Sequence, residues 1–206
     1  MDLYYSPLAC SLAARIALYE SGQPVNFVYV DAKSKRTERG EDFVSINPAG
    51  LVPTVRFDSG EVLTENSAIL AVLDTQARPE RSVAERARVQ RWIGFINSEL
   101  HTGCFTAILD NNAPPAVHAY NIERAKKRFA LLDAHLEGRE FLTDEFTVAD
   151  AYLATIANWT QVRGPDLAAW PNLTAYLERL RARPAVARAI AEELAMYLEE
   201  QKKLAS

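Results

Sequence analysis

The sequence is poor in cysteine, has no excess of positive charge and contains no long apolar run. Two of its 206 residues are cysteines, Cys10 and Cys104, and their wide separation favours a reduced compartment over a disulfide scaffold. With 23 lysine and arginine residues and 27 aspartate and glutamate residues, the formal net charge is −4, so no nucleic-acid partner is expected. No stretch of about 18 apolar residues occurs, and the start Met1-Asp2 lacks the basic and apolar regions of a signal peptide. These absences predict a cytoplasmic protein without a membrane partner.

Internal repeats and low-complexity tracts are absent as well. The composition is 49% hydrophobic and 24% charged, which is ordinary for a globular protein. The length allows one or two domains, each able to bury a core.

The first 76 residues alternate strand and helix patterns. Strand, helix, strand, hairpin and helix patterns follow one another at residues 3–5, 12–22, 25–30, 52–64 and 65–75. Strand, helix and strand in this order form a βαβ unit with parallel pairing. Residues 1–76 are therefore predicted to form a small α/β domain.

The rest of the chain is predicted to be all-α. Residues 77–83 are polar, include a proline and lack periodicity, which indicates a linker. Strand patterns nearly vanish after this linker, and apolar residues recur at helical spacing. Thr147 and Asp150 have the spacing of a capping box at a helix start. We expect residues 84–206 to form a helical domain.

Cys10 lies where the first strand passes into the first helix, with Ser11 as a candidate N-cap. Free backbone N–H groups and the helix dipole at such a junction stabilise negative charge. The thiol of Cys10 is therefore predicted to have a lowered pKa, and the thiolate is the reactive form. The alternative is a small buried cysteine.

Two further stretches suit a peptide-like ligand. Val52-Pro53 is either a stiff turn or a cis bond that would leave the backbone of Val52 as an open edge for β-augmentation. Glu65 and Asn66 follow a second strand-to-helix junction, where N–H groups suit a carboxylate and Glu65 suits an ammonium group. This corner fits the end of an α-amino acid, and a plain N-cap by Thr64 or Asn66 is the alternative.

His101 shares a polar helix face with Gly94, Asn97 and Cys104. It is either a hydrogen-bond donor or acceptor near a thiolate, or an exposed or capping histidine. With Cys104 it offers two metal ligands, which fall short of a zinc site, so no metal is expected. A Cys/His hydrolase fits the residue types, but the sequence supplies neither an oxyanion hole nor an orienting third residue.

Five motifs occur together over nearly the whole chain. They are Leu3-Tyr4-Tyr5-Ser6-Pro7-x-Ala9-Cys10-Ser11-Leu12, Asn47-Pro48-x-Gly50-x-Val52-Pro53, Leu63-Thr64-Glu65-Asn66-x-Ala68-Ile69-Leu70, Ser98-Glu99-Leu100-His101 and Phe146-Thr147-Val148-Ala149-Asp150-Ala151-Tyr152. In combination they resemble the bacterial beta-class glutathione transferase family. The resemblance implies a thioredoxin-like N-terminal domain with a cis bond at Pro53, a helical-bundle C-terminal domain that carries the hydrophobic substrate site and dimer contacts, and a homodimer.

The resemblance also implies a glutathione site. Its binding positions would be Ala9, Cys10, Lys35, Val52, Pro53, Glu65 and Asn66. Cys10 would lie next to the glutathione sulfur, Lys35 near the glycine carboxylate, and His101 would face the thiol. Thr102 stands where the family usually has lysine, and Gly94 where it commonly has asparagine, so two hydrogen-bond donors near the sulfur are missing.

Glutathione transfer to a small apolar electrophile is the leading hypothesis. The thiolate of the co-substrate glutathione would be stabilised at the helix N-terminus near Cys10 with help from His101. The electrophile would lie near Phe105, Ile108 and Trp159. One alternative is a glutathione-dependent thiol–disulfide oxidoreductase acting through a Cys10 mixed disulfide, and another is a non-enzymatic binding or scaffold protein. Detoxification, catabolism and stress defence fit the leading hypothesis equally.

Overall fold

The computed structural model describes residues 1–205. The strands are β1 (Asp2–Tyr5), β2 (Asn26–Tyr29), β3 (Thr54–Arg56) and β4 (Val62–Leu63). The α-helices are α1 (Leu12–Ser21), α2 (Phe43–Ile46), α3 (Asn66–Ala77), α4 (Val83–Phe95), α5 (Thr106–Leu109), α6 (Pro115–Leu136), α7 (Val148–Asn158), α8 (Pro171–Arg181) and α9 (Pro184–Ala205). A π-helix, Ile96–Phe105, lies between α4 and α5, and short 3-10 helices cover Trp159–Gln161 and Leu167–Ala169. Every helix in the described part of the chain is too short or too polar to cross a bilayer.

The contacts divide the chain into two compact units. The first unit is Met1–Pro79 together with α9, and the second is Glu80–Arg183. The boundary falls within the predicted linker, but the sequence analysis placed the last helix in the helical domain. The structure instead groups α9 with the N-terminal unit, because α9 packs against α1.

The first unit contains a four-stranded sheet with the order β2-β1-β3-β4. Strand β1 pairs in parallel with β2 and antiparallel with β3, which in turn pairs antiparallel with β4. Tyr4 lies opposite Val28 on one side and Thr54 on the other, and all three are buried. The predicted βαβ unit and hairpin are confirmed.

Helix α1 is largely buried, and all its residues from Leu12 to Leu18 belong to the buried class. Gly22 ends it in the left-handed conformation (φ 67°), and its N–H donates to the carbonyl of Leu18. The predicted N-cap by the Ser11 side chain is wrong. Ser11 has helical backbone angles, and its hydroxyl donates to the carbonyl of Ser6 at 3.3 Å instead.

The sheet and α9 are joined by side-chain hydrogen bonds. The Tyr5 hydroxyl donates to Met196 Sδ at 3.1 Å, and the Tyr29 hydroxyl donates to Glu200 Oε1 at 2.6 Å. These two tyrosines lie on the adjacent strands β1 and β2, in register with each other. The C-terminal helix therefore covers the face of the sheet on which both tyrosines lie.

The second unit is helical, and residues 80–183, all of which are described, contain no strand. Its helix α7 begins at the predicted capping box of Thr147. A second capping box at Ser82 starts α4, at a position that the sequence analysis assigned to the linker. Asp150 is fully buried and accepts a hydrogen bond from the Tyr176 hydroxyl at 2.7 Å, and burial raises its pKa. The predicted all-α class of this unit is confirmed.

The π-helix Ile96–Phe105 stands where an ordinary α-helix was predicted. Its side chains follow the wider turn, as the Thr102 hydroxyl donates to the carbonyl of Asn97, five residues earlier, at 2.7 Å. A Cβ atom on Gly103 would lie 2.3 Å from the carbonyl oxygen of Ser98, which is too close for any side chain. The wider turn therefore depends on glycine at position 103.

Candidate functional site

A short loop between β1 and α1 carries Cys10. Within it the Ser6 hydroxyl donates to the carbonyl of Val30 at 2.8 Å, while the Ser6 carbonyl accepts from the Ser11 hydroxyl. Leu8 adopts a left-handed conformation (φ 56°), which is uncommon for a residue with a side chain. The loop brings Cys10 to the start of α1, two residues before the helix begins, where it is a free and partly buried cysteine.

Three other predicted site residues, Val52, Pro53 and Asn66, lie at Cys10. Its thiol donates to the carbonyl oxygen of Val52, with 3.2 Å between sulfur and oxygen. The peptide bond between Val52 and Pro53 is cis. The Asn66 side-chain amide donates to the carbonyl of Cys10 at 3.2 Å. The loop, the turn before β3 and the start of α3 therefore converge on one cysteine.

The predicted lowering of the Cys10 pKa is wrong. Burial raises the pKa of the Cys10 thiol to about 12, from an ordinary value of 9.0. The backbone N–H groups of Cys10 and Ser11 lower the pKa, as expected for a helix start, but they do not offset the loss of water. The nearby carboxylate of Glu65 raises it further. Cys10 is thus a neutral hydrogen-bond donor at neutral pH.

The start of α3 forms the second part of this site. Glu65 precedes the helix with φ 70° and an exposed side chain, and no side chain caps α3 among the described residues. The alternative interpretation, a plain cap by Thr64 or Asn66, is therefore wrong. Asn66 is instead only 6% exposed, and its Oδ1 has no hydrogen-bond partner among residues 1–205. A buried acceptor, an exposed carboxylate and the free N–H groups of a helix start are thus close together.

Lys35 lies over the turn that precedes Pro53. Its ammonium group donates to the carbonyl of Gly50 at 3.0 Å. The same turn is held from inside by Asn47, whose amide donates to the carbonyl of Leu51 at 2.8 Å. Lys35 was among the predicted site residues, whereas Asn47 was named only as the first residue of a motif. Its position just before a proline was the one signal that could have found it.

In the second unit, His101 is part of a hydrogen-bonded chain. Its Nδ1 lies 2.7 Å from the Tyr152 hydroxyl, which donates to Asn97 Oδ1 at 3.0 Å. Tyr152 is fully buried. Sequence reasoning selected His101 and Asn97 but missed Tyr152, because its hydroxyl is paired across two helices that are distant in sequence.

This chain determines which nitrogen of His101 carries the proton. A tyrosine hydroxyl has a single proton, and here Tyr152 gives it to Asn97, so the oxygen must accept from Nδ1–H of His101. Burial also lowers the pKa of His101, which favours the neutral ring. Nε2 of His101 is therefore left as a proton acceptor.

Cys104 and Gly94 were predicted to share the polar helix face of His101. Cys104 is fully buried, and its thiol donates to the carbonyl of Glu99 at 3.1 Å, so the predicted polar face does not extend to it. A Cβ on Gly94 would meet no atom within 4 Å, so an asparagine there is not excluded by packing. Among residues 1–205, no three His, Cys, Asp or Glu side chains are grouped as metal ligands.

Aromatic rings surround His101 in the same unit. The Trp159 ring lies 5.1 Å from the His101 ring and 5.9 Å from the Phe105 ring, as measured between centroids. Phe105 and Ile108 are fully buried, whereas Trp159 is partly exposed. Of the three residues predicted to contact an electrophile, Trp159 is therefore the one with accessible surface.

Two family models match the chain. The glutathione S-transferase N-terminal domain matches residues 9–76, and the glutathione S-transferase C-terminal domain matches residues 95–184. Glutathione S-transferase GstA of Escherichia coli O157:H7 is 33% identical over 199 residues, covering 94% of this chain and 98% of that protein. The chain belongs to the glutathione S-transferase family.

Solved structures agree with this assignment. A sphingomonad glutathione S-transferase complexed with glutathione has a TM-score of 0.88 at 40% identity, covering 94% of this chain and 98% of the other. The bacterial beta-class glutathione S-transferase of Sphingomonas chungbukensis has a TM-score of 0.87 at 38% identity, with the same coverage. The predicted fold and the predicted beta-class resemblance are confirmed.

Proposed function

We propose that this protein conjugates reduced glutathione to small apolar electrophiles. The observation that carries the proposal is the hydrogen bond from the Cys10 thiol to the Val52 carbonyl, beside the buried amide of Asn66. A thiol donor and an open backbone edge at one point suit a cysteine-containing peptide. The sphingomonad relative was solved with glutathione bound, which supports the same ligand here.

The tripeptide would be held by its backbone and its two ends. The backbone N–H and C=O of Val52, ahead of Pro53, would pair with its peptide groups. Glu65 would accept from the ammonium of the γ-glutamyl end, and the first-turn N–H groups of α3 would receive the α-carboxylate. Asn66 Oδ1, which is buried and unpartnered among residues 1–205, would accept a further hydrogen bond from the ligand. Lys35 would attract the glycine carboxylate, and Ala9 would line the sulfur end.

Cys10 would act as a donor and not as the nucleophile. Its raised pKa keeps the proton on sulfur, so Sγ–H can donate to the glutathione thiolate in place of the Val52 carbonyl. The thiolate would then attack the electrophilic carbon, forming a C–S bond as the bond to the leaving group breaks. We propose that His101 assists by accepting at Nε2 the proton that the glutathione thiol loses.

The electrophile would be bound by the second unit. Trp159 offers a partly exposed ring, and Phe105 and Ile108 support it from the core. The raised pKa of Cys10 disfavours the thiol–disulfide alternative, because attack on a disulfide requires a thiolate.

We further propose that the protein is a cytoplasmic homodimer. Light scattering during size-exclusion chromatography would detect the dimer as twice the chain mass of 23.0 kDa.

Calorimetric titration with reduced glutathione tests the proposal directly. The wild type should bind saturably, and Glu65→Ala should lose most of the binding because the ammonium loses its acceptor. Glu61→Ala removes an exposed carboxylate four residues earlier and should bind like the wild type. Absence of binding by the wild type would refute both enzymatic hypotheses and favour a non-enzymatic protein.

A second measurement separates conjugation from binding. The wild type should convert an activated aryl chloride with glutathione to the thioether, detected by its absorbance. Binding without conversion of any electrophile tested, together with a stable glutathione adduct on Cys10, would favour the thiol–disulfide alternative instead.

A further inference from the structure

A buried carboxylate on the C-terminal helix contacts the loop that carries Cys10. Glu193 lies on α9, and its side chain is completely inaccessible to solvent. Its Oε2 accepts from the backbone N–H of Leu8 at 2.8 Å, and its Oε1 accepts from Nη1 of Arg15 at 3.2 Å. Leu8 precedes Cys10 by two residues, and Arg15 follows it by five. The side chain of Glu193 thus accepts hydrogen bonds from residues on both sides of Cys10 in the sequence.

Leu8 is held in a conformation that it would not adopt readily by itself. Its φ of 56° lies in the left-handed region, which is unfavourable for a residue with a Cβ atom. Such a conformation persists only where surrounding contacts determine it. The hydrogen bond to Glu193 is such a contact, because it joins the N–H of Leu8 to a completely buried oxygen at 2.8 Å, where no water can replace it.

Arg15 fixes where the Glu193 carboxylate points. It is only 5% exposed, and its guanidinium lies over the rings of Tyr5 and Phe27, 4.5 and 4.2 Å from their centroids. Glu192 also pairs with it, at 3.4 Å from Nη2. A buried carboxyl group needs a partner, and Arg15 supplies one to Glu193 on the side away from Leu8.

We propose that Glu193 is a positioning residue for Cys10. By accepting the N–H of Leu8 it holds the loop in one conformation, and thereby directs the Cys10 thiol toward the carbonyl of Val52 or, with ligand bound, toward the glutathione sulfur. This inference rests on the proposed function for its consequence in catalysis. The effect on the thiol itself does not depend on that function.

The removal of Glu193 should change the environment of the Cys10 thiol. When the loop relaxes, the thiol becomes more accessible to water, and its pKa returns toward the ordinary value. Cys10 in Glu193→Ala should therefore react with iodoacetamide at least about tenfold faster at neutral pH, with its pH profile shifted to lower pH. The turnover number for conjugation should fall about tenfold because the donor is misplaced.

The experiment measures labelling of each cysteine separately, by mass spectrometry of its peptide, over a range of pH. Cys104, which is fully buried in the second unit, is the internal standard for opening of that unit. Glu192→Ala is the matched control. It removes a carboxylate of the same helix that also contacts Arg15, and leaves the bond to Leu8 in place. We expect its Cys10 profile to match the wild type.

Glu193→Gln keeps the variant series informative if Glu193→Ala does not fold. Its amide retains one acceptor oxygen for Leu8, so Cys10 labelling should stay within about twofold of the wild type. Wild-type labelling of Cys10 in folded Glu193→Ala, or the same acceleration in Glu192→Ala or Glu193→Gln, would overturn the inference. If the wild type fails to bind glutathione, only the proposed function is refuted, since labelling still reports on the loop.

Discussion

The Cys10 thiol donates a hydrogen bond to the carbonyl oxygen of Val52, 3.2 Å away, at the residue that forms a cis bond with Pro53. The two groups are the ones that a cysteine-containing peptide would need, a donor for its sulfur and a backbone edge for its amides. Because burial raises the pKa of Cys10 to about 12, the sulfur keeps its proton at neutral pH. This relationship indicates a cysteine that assists a thiolate and does not replace it.

Substitution of Cys10 should therefore reduce catalysis without preventing glutathione binding. Cys10→Ala removes the donor, and we expect the turnover number to fall roughly tenfold to a hundredfold. Cys10→Ser keeps an O–H donor and should retain most of the activity. Steady-state kinetics and calorimetry on both variants check this. Full activity in Cys10→Ala would contradict the donor role, and complete loss in both variants would indicate that Cys10 is the nucleophile.

Local sequence patterns were sufficient to find the residues around Cys10. The strand-to-helix junctions at Cys10 and Asn66 are short-range features, and so is the proline after Val52. The parallel pairing of β1 with β2 and the hairpin of β3 and β4 followed from the same patterns, whereas the pairing of β1 with β3, which sets the sheet order, was not predicted. The pKa of Cys10 could not be predicted in this way. It depends on how much water the folded unit removes from the sulfur, and that burial involves residues distant in sequence.

Two other features, the pairing of Tyr152 with His101 and the π-helix, could not be predicted from local sequence patterns either. The pairing of Tyr152 with His101 joins positions 51 residues apart. The π-helix differs from an α-helix by one extra residue in its turn, so the apolar periodicity of residues 96–105 predicts an ordinary helix. Only Gly103 marks the difference, and a single glycine in a helical pattern has several explanations.

Gly103 and Gly94 should respond in opposite directions to the same substitution. Gly103→Ala places a Cβ 2.3 Å from the Ser98 carbonyl oxygen, so the π-helix must rearrange, and we expect a loss of about 1–3 kcal/mol in the free energy of unfolding. Gly94→Ala meets no atom within 4 Å and should gain about 0.5–1 kcal/mol from helix propensity. Urea unfolding of the two variants measures both. Equal effects would contradict the requirement for glycine at position 103.

The Tyr152 hydroxyl should be needed to keep His101 in one tautomer. Tyr152→Phe leaves Nδ1 of His101 and Oδ1 of Asn97 without their shared partner, which should cost about 1–3 kcal/mol in the free energy of unfolding. The ring should then exchange between tautomers, which ¹⁵N chemical shifts of the histidine side chains would report. Tyr120→Phe, at a tyrosine that is 65% exposed, is the control and should change neither quantity. A wild-type tautomer in Tyr152→Phe would show that other contacts hold the ring.

Glu193 should make the protein less stable as the pH rises through neutrality. Burial raises the pKa of this carboxyl to about 7, from an ordinary value of 4.5, even though Arg15 and the Leu8 N–H act in the opposite direction. Between these two values the native state keeps a proton that the unfolded state has released. The resulting stabilisation is fully present below the unfolded pKa and is lost as the pH passes the folded pKa.

The size of this effect can be isolated with one variant. Glu193→Gln cannot titrate, so its free energy of unfolding should lack this contribution, whereas the wild type should lose about 2 kcal/mol relative to it between about pH 5 and pH 8. Urea unfolding of both proteins across this range gives the difference directly. A constant difference would mean that Glu193 is ionised throughout, with the charge of Arg15 outweighing the cost of burial. A difference that grows as the pH rises from about 5 and levels off once the pH has passed the folded pKa would confirm that burial raises the pKa of Glu193.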